Sequence, residues 1–154
     1  MLQFHFCFDE NFKPENPETE SIWGIIYVKT GNTCFPSDDW DDFLSDVLSM
    51  WLWDIAGIIS GECKMPYDLY FMDGAYQIRL FPTDRENVIS AKFLRDNTIL
   101  EMVDEDIHFQ EFVRQLLDAA QRLLADERTK CYTAASGQIK LAMEHLLNTI
   151  AEHL

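Results

Sequence analysis

The longest periodic stretch of the chain is FPSDDWDDFLSDVLSMWLWDIAGII, residues 35–59. Large apolar side chains recur there at steps of three and four residues, which is the spacing of one helix face. They are Trp40, Phe43, Leu44, Val47, Leu48, Trp51, Leu52, Ile55 and Ile59. Ser37 stands where a hydroxyl can cap the first N–H groups, and Gly57 and Gly61 mark the far end. The pattern predicts a long amphipathic helix around which the rest of the chain is organised.

Before this helix, the pattern has the period of two that is typical of strands. Residues 2–8 alternate apolar and polar side chains, and residues 22–29 (IWGIIYVK) are rich in β-branched and aromatic types. The polar segment DENFKPENPETE between them contains two prolines and is predicted to be a loop. A turn at residues 30–33 leads into a short third strand at Cys34 and Phe35.

After the helix, DLYFMDGAYQIRLF predicts a β-hairpin with Asp73 and Gly74 at its tip. Asp-Gly favours a type I′ turn, in which both central residues have positive φ. A two-residue loop sets Phe71 opposite Tyr76 and directs one face of the hairpin towards the helix. That face consists of Leu69, Phe71, Tyr76, Ile78 and Leu80.

The remaining segments complete the fold prediction. Strands are predicted at residues 88–95 and 97–103, followed by an amphipathic helix that starts near Asp104 or Asp106. A second C-terminal helix is predicted after a loop at residues 129–137. This order of elements is typical of α+β proteins. We therefore predict a single α+β domain over residues 1–154, with an antiparallel sheet of about five to seven strands packed against the long helix and the two C-terminal helices.

Charge is the most distinctive feature of the composition. The chain has 27 acidic and 12 basic residues, for a net charge of −15. Such a charge repels nucleic acid and anionic membranes and attracts basic proteins, although it also serves solubility alone. No nucleic-acid or membrane partner is therefore expected.

The cysteines and the N-terminus bear on location. The four cysteines (Cys7, Cys34, Cys63 and Cys131) are widely spaced without a C-x-x-C pair, which favours free thiols in a reducing compartment. Cys7 and Cys34 lie in predicted strands, where they could be neighbours. The N-terminus lacks the features of a signal peptide, and no apolar run is long enough to span a bilayer. We expect a cytoplasmic protein.

Few residues suggest catalysis. Glu105, His108 and Glu111 could share one helix face, but a di-iron bundle needs two Glu-x-x-His pairs and further glutamates. No nucleotide, hydrolase or metalloprotease motif is present. No metal, cofactor or catalytic residue is therefore predicted. Asp54 lies at the edge of the apolar stripe, where it is predicted either to pair with a group such as Arg79 or to face a pocket.

Two features of the long helix suggest a binding surface. Asp38, Asp39, Asp41 and Asp42 are predicted to crowd its first turn, at the positive end of the helix dipole. Trp53 points away from the apolar stripe, where either the C-terminal helices cover it or it is an exposed anchor for a partner. The predicted partner-binding residues are Asp38, Asp39, Asp41, Asp42, Asp46 and Trp53.

The segments FPSDDWDDF, VLSMWLWDI and YFMDGAY resemble a family of small uncharacterised bacterial proteins. The matching positions are Phe35, Pro36, Trp40, Asp42, Phe43, Trp51, Phe71, Met72, Asp73, Gly74 and Tyr76. The resemblance covers the middle third of the chain and implies a bacterial cytoplasmic origin. In size, acidity and order of elements the chain is also similar to immunity proteins of bacterial toxin systems, a similarity that assigns no residue roles.

Two functions are therefore weighed. The first is a non-enzymatic acidic module that binds a basic protein, such as an immunity protein that neutralises a basic toxin by occlusion. The second is a small-ligand-binding protein or hydrolase-like enzyme that uses Asp54, with His5 or His108, in a pocket between helix and sheet. A shallow acidic face with an exposed tryptophan favours the first, and a deep enclosed pocket favours the second.

Overall fold

The computed structural model describes residues 2–100 and 105–153 and confirms an α+β fold with antiparallel strands. Within these residues, the strands are β1 (Leu2–Phe8), β2 (Trp23–Thr30), β3 (Thr33–Phe35), β4 (Asp41–Phe43), β5 (Tyr67–Tyr70), β6 (Tyr76–Pro82), β7 (Val88–Arg95), β8 (Thr98–Ile99) and β9 (Glu105–His108). The helices are α1 (Leu44–Ser60), α2 (Phe109–Ala125) and α3 (Thr133–His153), with a 3₁₀ turn at Glu127–Thr129.

The strands form two antiparallel sheets of four and five strands, whereas one sheet of about five to seven strands was predicted. The hydrophobic pattern does not reveal this division. Sheet A contains β1 to β4 and sheet B contains β5 to β9. In sheet A, β3 and β4 pair with successive parts of the same edge of β2. In sheet B, β8 and β9 share one edge of β7 in the same way. Short strands placed end to end thus close one edge of each sheet.

Helix α1 is the centre of the packing, as predicted. It contacts both other helices and strands of both sheets. The fully buried Trp51 shows why, because its indole packs edge-on against Phe4 of sheet A and against Phe71 beside sheet B. Its Nε1 also donates a 2.8 Å hydrogen bond to the carbonyl of Tyr70. One residue therefore joins the helix to both sheets.

The beginning of α1 differs from the prediction. The helix starts at Leu44, seven residues after Ser37, and residues 41–43 form β4 instead of a first helical turn. Ser37 caps no helix, and its hydroxyl donates to Asp39. The N–H of Ser45 is instead satisfied by the carbonyl of Ile22. Pairing with the open edge of β2 gives the backbone N–H and C=O groups of residues 41–43 hydrogen-bonding partners, and tertiary structure thus overrides the helical pattern.

The far end of α1 and the hairpin follow the prediction more closely. Gly61 ends the helix in the left-handed conformation, whereas Gly57 lies buried inside the helix and does not mark its end. The hairpin has the predicted register, with Leu69 opposite Ile78. However, the turn is not type I′, because Gly74 has positive φ but Asp73 does not.

The C-terminal third shows two further corrections. Helix α2 starts at Phe109, because residues 105–108 form strand β9. Glu105, His108 and Glu111 therefore do not share a helix face. Helix α3 already begins at Thr133, inside the predicted loop at residues 129–137. Residues 101–104 lie outside the described part of the chain. Two predictions fall there: Asp104 as the start of the helix, and the last residues of the strand predicted at 97–103.

Candidate binding site on the outer face of sheet A

The predicted acidic cluster is divided between several places. Asp38 and Asp39 are exposed in the loop between β3 and β4, and Asp41 is the first residue of β4. None of them lies in the first turn of α1, whose acidic residue is Asp46. The prediction that they crowd the helix dipole is therefore wrong, since the helix begins after them.

Asp42 has a structural position and is not available to a partner. Its side chain is fully buried, and its Oδ1 accepts the N–H of Phe43 over 2.7 Å. Its Oδ2 accepts the indole N–H of Trp40 and the backbone N–H groups of Met72 and Asp73 over 3.0–3.3 Å. Burial raises the pKa of Asp42, and these four hydrogen bonds act in the opposite direction. The carboxylate thus ties β4 to the hairpin of sheet B.

Asp46 and Trp53 both lie beside α3. Gln138 contacts Asp46, and His145 stacks on the indole of Trp53 with ring centroids 4.1 Å apart. The two contacts are seven residues apart in each helix and follow the same order, so α1 and α3 run in the same direction. Trp53 is covered by α3 on one side and still 41% exposed. The expected cover by a C-terminal helix is therefore found on one side of the indole, and the role of the exposed side as an anchor for a partner stays a prediction.

The outer face of sheet A is the face turned away from α1, and it carries the other predicted carboxylates. The strand register places Cys7, Ile25 and Asp41 in one row across β1, β2 and β4. The carboxylate of Asp41 lies against that of Asp9, and its Oδ1 is buried without a hydrogen-bond partner among the described residues. Burial raises the pKa of Asp41, and the charges of Asp9 and Asp39 raise it further.

The neighbouring groups show how far this negative charge extends. Burial raises the pKa of the Cys7 thiol; Arg128 lowers it, and the nearby charges of Asp41, Asp9 and Glu10 raise it again. The pKa of Tyr27 is also raised, first by burial, then by the charge of Cys34 and then by the charge of Asp38. We call this region the acidic surface. Its carboxylates are Asp9, Glu10, Asp38, Asp39 and Asp41.

The whole N-terminal part of the chain shares this acidity. The first 60 residues contain eleven of the 27 acidic residues but only two of the 12 basic ones, Lys13 and Lys29. Sheet B, by contrast, carries Arg79, Lys92 and Arg95 on its two longest strands. The first 60 residues, which include all of sheet A and α1, therefore carry −9 (11 acidic minus 2 basic residues) of the net charge of −15.

An aromatic cluster adjoins the acidic surface. The ring of Trp23 packs edge-on against Phe43 at 4.8 Å between centroids and contacts Phe12 at 6.2 Å. Phe12 is 41% exposed and Phe43 is 43% exposed. Trp23 and Phe43 are paired residues of β2 and β4, so the sheet register itself brings them together.

A cleft opens between the β1–β2 loop and the segment that connects α2 to α3. Its volume is about 450 Å³. We call it the aromatic cleft, and it is lined by Phe8, Asp9, Glu10, Phe12, Pro14, Trp23, Arg128, Cys131 and Tyr132. The loop that forms one wall is attached to α3 by a backbone hydrogen bond from Ala134 to Glu18. Asp9 belongs both to this lining and to the acidic surface, so the two are continuous.

The residues of the alternative function are found apart from one another. Asp54 accepts a 2.6 Å hydrogen bond from the hydroxyl of Tyr67 and not from Arg79, which pairs with Asp68. Burial raises the pKa of Asp54, and the hydrogen bond from Tyr67 lowers it. His5 stacks on Tyr27 on the outer face of sheet A, on the other side of the sheet from α1. Of four clefts described over residues 2–100 and 105–153, none is lined by Asp54, His5 or His108.

No protein-family model matches the chain, and no curated protein or solved structure shows significant similarity to it. The resemblance to small bacterial proteins therefore stays a prediction. In the described part of the chain, none of the helices combines the length and the apolar character needed to cross a membrane.

Sequence reasoning missed the aromatic cleft and the contribution of Asp9. The acidic segment after β1 contains Asp9, Glu10 and Phe12, but its composition indicated only a loop. The alternation in β2 does place Trp23 on the face opposite Ile26, which is a signal for an aromatic outer face. Arg128 and Tyr132 line the same cleft but come from a distant part of the chain, and nothing in the sequence around them indicates that they belong to a site.

Proposed function

We propose that this protein is a non-enzymatic module that binds a basic protein through the acidic surface and the aromatic cleft. The observation that supports this most directly is the packing of Asp9 against Asp41 beside exposed aromatic rings. Neighbouring carboxylates repel each other, and lysines or arginines of a partner relieve that repulsion. Aromatic side chains at such a surface are typical binding anchors.

The long-range field of the protein favours the same class of partner. A surface of one sign speeds the association of an oppositely charged protein and slows that of like-charged ones. The open acidic face suits occlusion of a protein surface, and one form of such a partner is a basic toxin. In that case the carboxylates occupy the positions of the phosphates that a nuclease toxin binds, and the protein acts as an immunity protein.

A cytoplasmic location is part of the proposal. All four cysteines are free thiols. The register of sheet A agrees with the absence of a disulfide between Cys7 and Cys34, because Cys7 is opposite Ile25 of β2 and Cys34 is opposite Lys29. The two thiols are thus on different sides of β2 and four residues apart along it, which is beyond disulfide reach.

The alternative, a small-ligand-binding protein or hydrolase-like enzyme, would use Asp54 with His5 or His108, although the group that is hydrogen-bonded to Asp54 is the Tyr67 hydroxyl. Its support is the raised pKa of Asp54, since perturbed pKa values are common at active sites. An enclosed pocket beside Asp54 would be needed in addition, and the described clefts lie elsewhere. We therefore favour the binding module.

The experiment begins with a random peptide display library selected against the full-length protein. Enrichment of lysine and arginine supports the proposal, and enrichment of neutral or acidic peptides contradicts it. Association rates of a selected peptide are then measured across salt concentrations. Steering by charge predicts rapid association that slows as salt screens the field, with a screening length of about 10 Å at 0.1 M.

Two triple variants with the same change of net charge locate the surface. The first is Asp38→Asn, Asp39→Asn and Asp41→Asn, and it leaves the buried Asp42 intact. The matched control is Asp84→Asn, Glu86→Gln and Glu152→Gln, whose side chains are exposed away from sheet A. We expect the first variant to slow association at low salt by about tenfold and the control to have a much smaller effect. Equal effects of the two variants would show that only net charge matters, and the proposed surface would be wrong.

A further inference from the structure

We propose that the aromatic cleft is the subsite for an arginine side chain of the basic partner. This inference rests on the proposed function and assigns one part of its binding surface. The aromatic walls of the cleft come from three parts of the chain, with Phe8 and Trp23 on strands, Phe12 on the loop between them, and Tyr132 before α3. The cleft volume of about 450 Å³ is within the range of binding pockets.

The charged groups of the cleft favour a cation. Asp9 and Glu10 line it, and the carboxylate of Asp41 neighbours that of Asp9. The cleft also contains Arg128, but Asp126 holds this guanidinium with two hydrogen bonds of 3.0 and 2.8 Å. The pKa of Asp126 is lowered to about 2 by this contact, so the pair stays ionised and neutral in sum. The remaining charge of the cleft is negative, and an anionic ligand is disfavoured.

Arg128 also shows which cation this environment accommodates. Its guanidinium lies over the ring of Phe8, with 4.2 Å between the Cζ atom and the ring centroid. The same arrangement recurs next to it, where Arg122 lies over Phe6 at 4.9 Å. The walls of Phe12 and Trp23 offer a partner guanidinium equivalent aromatic surface, with Asp9 and Glu10 as acceptors for its N–H groups.

Arginine suits this cleft better than lysine. A guanidinium is planar, stacks on aromatic rings, and is more weakly hydrated than an ammonium group. It also binds carboxylates through two parallel hydrogen bonds. The cleft offers both an aromatic surface and carboxylates, whereas the carboxylates of Asp38 and Asp39 offer charge alone.

The test uses the full-length protein with two short peptides of equal charge, one of arginine and glycine and one of lysine and glycine. Binding is followed by the NMR signal of the Trp23 indole N–H, which is assigned with a Trp23→Phe variant. We expect the arginine peptide to bind more tightly and to shift this signal. Phe12→Ala should weaken its binding by roughly 2–30-fold, the range of cation–aromatic contacts.

Matched variants separate the cleft from the surface charge. Tyr70→Ala removes an aromatic side chain of similar exposure from sheet B (48% for Tyr70, 41% for Phe12) and should leave binding unchanged. Glu10→Gln removes a carboxylate from the cleft and should weaken binding even if Phe12→Ala alters the loop. The denaturation midpoint of each variant shows whether its fold is intact.

The outcomes distinguish the two proposals. If both peptides bind in a salt-dependent way but Phe12→Ala and Glu10→Gln have no effect, the cleft is not the subsite, and only the part of the proposed function that assigns binding to the acidic surface stands. Equal or tighter binding of the lysine peptide overturns the assignment of arginine. If neither peptide binds at low salt, both the subsite and the proposed function are wrong.

Discussion

The carboxylate of Asp42 accepts the backbone N–H of Met72 over a distance of 3.1 Å. This contact joins β4 of sheet A to the hairpin tip of sheet B, 30 residues further along the chain. The same oxygen also accepts the N–H of Asp73 and the indole N–H of Trp40. A single buried carboxylate therefore holds the turn, the strand and an aromatic side chain in one arrangement.

The first prediction follows from this contact. Asp42→Ala leaves several N–H groups without an acceptor, and we expect the free energy of unfolding to fall by about 2–5 kcal/mol. Asp42→Asn retains one carbonyl oxygen and should be less destabilising than the alanine variant. Urea denaturation measures both. Asp46→Asn is the control, because the hydrogen bond of that side chain within residues 2–100 and 105–153 is a 3.4 Å contact with Gln138. An Asp42→Ala variant as stable as this control would contradict the structural role.

The second prediction concerns Gly74 in the same turn. Gly74 has a φ of +82°, and a Cβ atom there would lie 3.2 Å from the indole of Trp40. Trp40 cannot easily move aside, because its Nε1 is bonded to Asp42. Gly31 has a similar φ of +59° with open space around it. Gly31→Val should therefore cost about 1–2 kcal/mol from backbone strain alone, and Gly74→Val should cost more. If chemical denaturation shows the same loss of stability for Gly31→Val and Gly74→Val, the Trp40 side chain moves aside and adds no further strain.

The third prediction concerns the packing of α1 against the segment that follows it. Glycine to alanine inside a helix is usually stabilising by about 0.5–1 kcal/mol. At Gly57, however, a Cβ atom would lie 2.5 Å from the sulfur of Cys63. We expect Gly57→Ala to be destabilising by about 1–3 kcal/mol, as for overpacked cores. In a Cys63→Ala background the loss should largely disappear. If the loss is the same in both backgrounds, the cysteine is not its cause.

The fourth prediction concerns the pH dependence of stability. The pKa of Asp41 is raised in the folded protein above its ordinary value of 3.8 by burial and then by the charge of Asp9. Ionisation of Asp41 therefore opposes folding: the loss of stability grows as the pH rises from 3.8 to the raised pKa, is constant above it, and is absent below 3.8, where the carboxyl is protonated in both states. Asp41→Asn should stabilise the protein at neutral pH by about 0.5–1 kcal/mol.

Denaturation of Asp41→Asn and of the parent is compared at several pH values from neutral down towards pH 4. The gain in stability of Asp41→Asn over the parent should shrink as the pH falls. Asp38→Asn, which removes one exposed carboxylate, is the control for the loss of a single negative charge. A gain for Asp41→Asn that is constant over the whole range would mean that repulsion from Asp9 is not its source.

Local pattern was sufficient for much of the fold. The apolar face of α1 from Leu44 to Ile55 is buried as predicted, and so are Leu69, Phe71, Ile78 and Leu80 on the inward face of the hairpin, where Tyr76 is only partly buried. The reason is that burial of apolar surface is the main driving force of folding, and its helical or strand period is written in the order of residues. The α+β class follows from these periods and from the order of the elements.

The candidate site was predictable only in part. The acidity of the chain and the exposed aspartates Asp38 and Asp39 are properties of the sequence. The placement of Asp41 against Asp9 depends on β4 pairing with β2, and the pattern had assigned these residues to a helix. A helical stripe and a strand of three residues are compatible with the same short segment, so local pattern does not decide between them.

Two neighbouring aspartates show what the sequence determined and what only the tertiary structure decided. The sequence determines that Asp41 and Asp42 are both charged and that they precede a long apolar helix face. Because successive side chains of a strand point to opposite faces, pairing of β4 with β2 turns Asp42 into the core and Asp41 towards Asp9. Pairing depends on which edge of β2 has unsatisfied N–H and C=O groups, which is a property of the assembled sheet. The tertiary structure therefore decided that one of these identical residues is a structural link and the other is part of the acidic surface.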